Sequence, residues 1–117
     1  MSQERYSNLD YLKEITGGEP EIMNEFIQMF LDQLPEFRDG LTKYLAEEKW
    51  KELGELAHKA KSSVMTFGMN DLGVRLKTLQ LRTQKLEYIE TYPSFVEEFM
   101  TVIGHAEREL LEDLKQG

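Results

Sequence analysis

The chain has 117 residues, no cysteine, and 22 acids against 14 bases, for a formal net charge of −8. That length suits one domain with its own core, and the missing cysteines exclude disulfides, Cys-ligated zinc, iron–sulfur clusters and thiol catalysis. The acidic balance argues against nucleic acid, whose phosphates require an extended basic surface.

Ser7 or Asn8 can cap a short first helix containing Leu9, Leu12 and Ile15, stopped by Gly17-Gly18. Pro20 suits the first turn of the next helix, where a missing N–H is tolerated. Ile22, Phe26, Phe30, Leu34, Phe37, Leu41 and Tyr44 then recur at spacings of four and three. They form an apolar stripe on a helix of about 25 residues. Pro35 falls inside it, and because the stripe keeps phase across Pro35 a kink there is expected. Glu47-Glu48 marks a turn. The following helix spans about residues 49–66 and ends at Phe67-Gly68.

Asn70 is the expected N-cap of a helix over about residues 71–89, with Leu72, Leu76, Leu79 and Leu86 inside. Thr91-Tyr92-Pro93 interrupts the chain again. The last helix, roughly residues 93–115, carries Phe95, Phe99, Val102, Ala106, Leu110 and Leu114. Nothing alternates with period two, so no strand is predicted. There is no tandem repeat, low-complexity run or long linker. The pattern predicts an all-α protein: one domain over 1–117, core about 9–114, folded as an up-down-up-down antiparallel four-helix bundle with a short extra N-terminal helix. The opening MSQERYSNLD has no apolar signal-peptide core, and no stretch approaches the roughly 18 apolar residues of a membrane span. A soluble cytoplasmic protein is therefore expected.

One of the two histidines stands out. On a helical wheel Leu53, Leu56, Ala57, Ala60, Val64 and Phe67 make a single stripe, and His58 lies about 150° from its centre. It shares the outward face with Lys51, Gly54, Glu55, Lys61, Ser62 and Met65. Small residues, Gly54 and Ser62, flank it four positions to either side, and an imidazole with its ordinary pKa of about 6.5 is largely neutral and nucleophilic at pH 7. Were it to take a phosphoryl group, Lys61 could lie beside the new negative charge. From His58 to Lys85 the chain carries six bases (Lys59, Lys61, Arg75, Lys77, Arg82, Lys85) and one acid, Asp71, leaving 8 bases and 21 acids elsewhere. One basic region around an outward histidine in an acidic protein fits an acidic partner docking there. A lone exposed histidine is more often simply a surface residue, so the wheel raises the case without settling it.

Glu55-Leu-Ala-His58 also matches the Glu-x-x-His ligand motif of ferritin-like metal bundles. Such a site needs two inward-facing pairs. The other histidine, His105, has Val102 three residues before it, and His58 faces outward, so no metal is expected. His105, beside Glu107 and Arg108, is read as a surface or interhelix residue.

The segment Ala57-His58-Lys59-Ala60-Lys61-Ser62-Ser63-Val64-Met65-Thr66-Phe67-Gly68 resembles the signature of histidine-containing phosphotransfer (HPt) domains. That signature reads roughly His-x-x-Lys-Gly, a small residue, three variable positions, then an apolar residue and Gly. The lead-in from Trp50 to Leu56, the helix from Asn70 to Leu79, and the helix order from about Leu9 to Leu114 also look like the family. Ser62 stands where the family usually has Gly, a departure small enough to preserve access.

The resemblance implies a phosphocarrier of two-component phosphorelays. His58 would accept a phosphoryl group from a receiver-domain aspartate and pass it to another receiver, Lys61 would stabilise its charge, and Gln80, on the next helix, would orient the imidazole. Gly54, Ser62 and Met65 would belong to the docking surface. The implied partners are response-regulator receivers and a hybrid histidine kinase, with the receiver supplying Mg²⁺. Such a protein is no autonomous kinase, and the chain has neither GxxxxGK[ST] nor a glycine-rich phosphate loop. A monomer is expected. The alternative is a non-catalytic helical adaptor, against which His58 and Lys61 together argue.

Overall fold

The computed structural model describes residues 5–116, with side chains to Leu114. The outermost residues of the expected 1–117 domain, 1–4 and 117, lie outside the described residues. Five α-helices follow in order: α1 (Asp10–Thr16), α2 (Pro20–Ala46), α3 (Trp50–Thr66), α4 (Asn70–Lys85) and α5 (Tyr92–Gln116), with a 3₁₀ turn at Ile89–Thr91 before the last. Among the described residues there is no strand. Among the described residues no helix is long and apolar enough to cross a membrane.

Pro20 begins α2, and Gly17 and Gly18, both at positive φ, end α1 as expected. Helix α2 continues across Pro35 as one element instead of splitting there. Its buried seam is Met23, Ile27, Phe30, Leu34, Phe37 and Leu41, whereas Ile22 and Phe26 are exposed. This corrects the expected start of the stripe. Steps of four alone, as in 22-26-30-34, drift about 40° per step around the helix, while alternating steps of four and three hold one face. The seam that wins is the alternating one.

Two further expectations fail at the ends of α4. Asn70 is already helical, and Met69 occupies the cap position with no side-chain bond. The helix stops at Lys85, so residues 86–89 lie outside it and Leu86 is exposed. Its stop is tertiary. Leu86 turns left-handed (φ 55°), the Glu87 N–H returns to the Arg82 carbonyl at 3.0 Å, and Tyr92 Oη reaches the carbonyls of Arg82 and Glu87 at 2.9 and 2.8 Å. Tyr92 is fully buried, edge-on to Trp50.

The core joins all five helices. Pairing is closest between α3 and α4. Gly54 meets Thr83, His58 meets Gln80 and Met65 meets Gly73, so the two helices run antiparallel. Across α3, Lys59 pairs with Glu36 and Ser63 with Gln33, so α2 and α3 are antiparallel as well. This sets α3 between two neighbours with one strip of its surface outward. Residues 5–9 cross from α5 to the α3–α4 turn, where the Asn8 N–H bonds the Phe67 carbonyl at 2.9 Å. The cap position of α1 is Leu9, with no side-chain cap bond, and not Ser7 or Asn8 as expected: Asn8 Oδ1 accepts the Asp10 N–H at 3.2 Å from one residue further out, while Ser7 turns inward to Glu109.

Candidate functional site

Helix α3 places Leu53, Leu56, Ala57, Ala60 and Val64 in the core, and this apolar register leaves His58 exposed. Ser62 and Met65 are exposed beside it, and Lys61 is partly buried. Ser63 is the serine drawn inward, its Oγ donating to Gln33 Oε1 at 3.0 Å. Ser62 Oγ makes no bond among the described residues, although the Ser62 carbonyl accepts Thr66 Oγ1 at 3.1 Å.

The imidazole is held from the neighbouring helix. His58 Nδ1 lies 3.1 Å from Gln80 Oε1, the contact expected from the offset between α3 and α4. A side-chain carbonyl oxygen only accepts, so Nδ1 carries the hydrogen. Nε2 is then left with its lone pair on the exposed side of the ring. Gln80 is in turn anchored at its backbone, where its carbonyl accepts Thr83 Oγ1 at 2.7 Å.

Gly54 departs from the helical-wheel expectation. It is buried, and a Cβ at this position would collide with Thr83 Oγ1. Its lack of a side chain lets α3 and α4 approach closely enough for Gln80 to reach His58. Gly73 does the same one end along: a Cβ there would run into Met65 Cγ, with Lys61 Cγ 3.7 Å away. The wheel ranks Gly54 as outward because it knows nothing of α4.

The basic segment divides by direction. Lys59 is bound to Glu36 of α2 at 2.8 Å. Arg75 pairs with Glu98 of α5 at 3.0 Å and stacks on Phe95, and Arg82 bonds Thr91 and lies over Tyr88. These three cations serve helix packing. Lys61, Lys77 and Lys85 make no ion pair among the described residues. Glu55, the carboxylate one turn before His58, lies 4.0 Å from Lys51.

Beside this strip, Lys61, Ser62 and Met65 form one wall of a groove of about 830 Å³ whose other wall is Asp10, Tyr11 and Glu14 of α1. Sequence reasoning missed the α1 wall, because nothing local in residues 10–14 shows where that helix will lie. His105 is remote from all of this. It stacks on Tyr6 with ring centroids 4.5 Å apart, and its Nδ1 accepts from Arg108 at 3.0 Å. Among the described residues no group of three His, Asp or Glu side chains is placed to hold a metal ion.

A family model described as "Hpt domain" matches residues 25–117. Comparison with curated proteins and with solved structures finds no match.

Proposed function

The chain belongs to the Hpt domain family, and on that premise we propose that it is a histidine phosphotransfer protein of a two-component phosphorelay. It accepts a phosphoryl group on His58 from a receiver-domain aspartate and passes it to another receiver. The observation that carries this reading is the paired placement of His58 and Gln80: an exposed imidazole whose Nδ1 is bonded to Gln80 Oε1, which leaves Nε2 as the nitrogen with no partner among the described residues.

The lone pair of Nε2 attacks the phosphorus of the receiver's aspartyl phosphate in line with the leaving oxygen. The N–P bond forms, the P–O bond to the aspartate breaks, and the carboxylate departs. Nδ1 keeps its hydrogen, so positive charge develops on the ring, and Gln80 Oε1 faces that charge. In the return step the second receiver's aspartate attacks the same phosphorus and Nε2 leaves. Lys61, three residues from His58 on the same face, offsets phosphoryl charge. Ser62 and Met65 receive the partner's surface, while Gly54 sets the helix spacing behind them.

No nucleotide is involved and the protein is a carrier rather than a kinase. Mg²⁺ belongs to the receiver. The partners are receiver domains and a hybrid histidine kinase, and the protein works in the cytoplasm as a monomer.

Incubation with phosphorylated receiver domains should place acid-labile phosphate on the chain. His58→Gln should abolish it and leave the helical circular dichroism unchanged. Retained labelling in His58→Gln with loss in His105→Gln would move the site. No labelling from any donor would favour the adaptor reading. Gln80→Ala should slow transfer at unchanged melting temperature if Gln80 positions the ring.

A further inference from the structure

Helix α4 runs alongside the His58 face, and three of its residues fix its register there. Gly73 backs onto Lys61 and Met65, Gln80 bonds His58, and Thr83 fills the space left by Gly54. Lys77 stands one turn from Gly73 and one turn from Gln80, on the same side of α4. Its root is therefore opposite the turn of α3 that carries both His58 and Lys61. Lys77 is exposed and forms no ion pair among the described residues.

The contrast with its neighbours is chemical. Arg75, two residues before it, is held by Glu98 and Phe95, and Lys59 by Glu36. An ammonium left without a carboxylate pays no cost to leave a partner when a dianion arrives. The carboxylates around this face are Glu55, a turn away in the opposite direction beside Lys51, and Asp10 and Glu14 of α1, across the groove from Lys61 and unpaired with Lys77.

We propose that Lys77 is a second phosphoryl-binding residue, closing on the group carried by His58 Nε2 from α4 while Lys61 closes from α3. The proposal rests on the phosphotransfer reading of His58. Two cations on opposing helices bracket a dianion better than one, because no single lysine arm can face both sides of a tetrahedral group. At roughly 7 Å in a water-like dielectric, one such charge lowers the second ionisation of the phosphoryl group by about 0.4 pH unit.

The test uses the full chain phosphorylated by phosphoramidate, a small donor that needs no docking. The phosphorus NMR signal of phospho-His58 is then titrated with pH. Lys77→Met should raise the midpoint by about 0.4 unit, close to the effect of Lys61→Ala, and should shorten the phosphohistidine lifetime. Lys77→Arg should restore both, and Lys85→Met, two turns further along α4, should change neither. An unmoved midpoint in Lys77→Met overturns the proposal, even if transfer from a receiver slows, because Lys77 would then act in docking alone. Failure of His58 to label with any donor strikes the phosphotransfer reading itself, which the wild-type chain reports separately from the variant.

Discussion

The N-terminal seam and the α3–α4 face carry charge in opposite ways. Where residues 5–9 cross α5, Glu109 accepts the N–H groups of Tyr6 and Ser7, both at 2.8 Å, and Ser7 Oγ at 2.6 Å. Arg5 completes the seam on Asp113 at 2.7 Å and on Glu109. On the α3–α4 face, the side-chain polar atoms of Lys61, Ser62 and Lys77 make no such bonds among the described residues. Groups satisfied within the fold stabilise it and have little left to offer a ligand, whereas unsatisfied exposed groups cost the fold little and remain available. The seam should therefore respond to mutation in stability, and the face in transfer.

The sharpest test lies at Gly54, which sits one turn from His58 yet belongs to the packing. Gly54→Leu should force α3 and α4 apart at Thr83, costing about 3 kcal/mol, or roughly 12 °C in melting temperature for a domain this size. Because the same movement withdraws Gln80 from His58, transfer should fall as well. A variant that melts normally and transfers normally would remove the helix-spacing role. Next in size is Glu109→Ala, which leaves two backbone N–H groups and the Ser7 hydroxyl without their acceptor. A loss of about 2 kcal/mol is expected, with melting lowered by roughly 8 °C and phosphotransfer at 25 °C unchanged. Slower transfer in this variant, measured well below its melting point, would couple the two regions and break the comparison.

Ser62→Arg should do the reverse. A long cationic side chain on the exposed face blocks the approach of a receiver, so transfer should drop at least about tenfold, equivalent to ~1.4 kcal/mol of barrier. Melting should not move, because Ser62 Oγ supports nothing in the fold. Normal transfer from every receiver tested would mean that the partner reaches His58 from the α4 side.

The outward placement of His58 was legible in the sequence because it depends on one helix. The stripe from Leu53 to Phe67 is local, and a residue opposite a buried stripe is exposed whatever else packs there. The Gln80 contact was legible at one remove, through an offset between two helices joined by a short turn. Gly54 was not, since its burial depends on the hydroxyl of Thr83. The start of the α2 seam was legible but misassigned to Ile22-Phe26: steps of four drift off the face, whereas the alternating steps from Met23 and Ile27 stay on it. The end of α4 is set by Tyr92 and the Ser7–Glu109 contact by a closure across about the whole chain, and neither leaves a periodic trace.

The smallest expected effect is a pH dependence that belongs to the seam alone. Burial pushes the Glu109 carboxyl upward, but the hydrogen bonds from Ser7 and Tyr6 and the charge of Arg5 outweigh it, so the group titrates below the ordinary carboxylate value. A carboxyl with a lowered folded-state pKa contributes stability that is complete above its unfolded value and is lost as pH falls through the folded one. The wild type should therefore melt above Glu109→Gln at pH 7, and the gap should close as both are acidified through and below the ordinary carboxylate range. Both proteins keep every other acidic residue, so the difference between them at each pH isolates the carboxyl at position 109. Glu109 is faced by the Tyr6 and Ser7 N–H groups, the Ser7 hydroxyl and the Arg5 guanidinium, which Asp113 shares, so the closing of the gap reports the loss of the Glu109 charge within that cluster. A gap that stays constant down to pH 3 would mean that the carboxyl's charge contributes nothing and that the seam is held by neutral hydrogen bonds. The contrast with the His58 face would then be one of geometry rather than of charge.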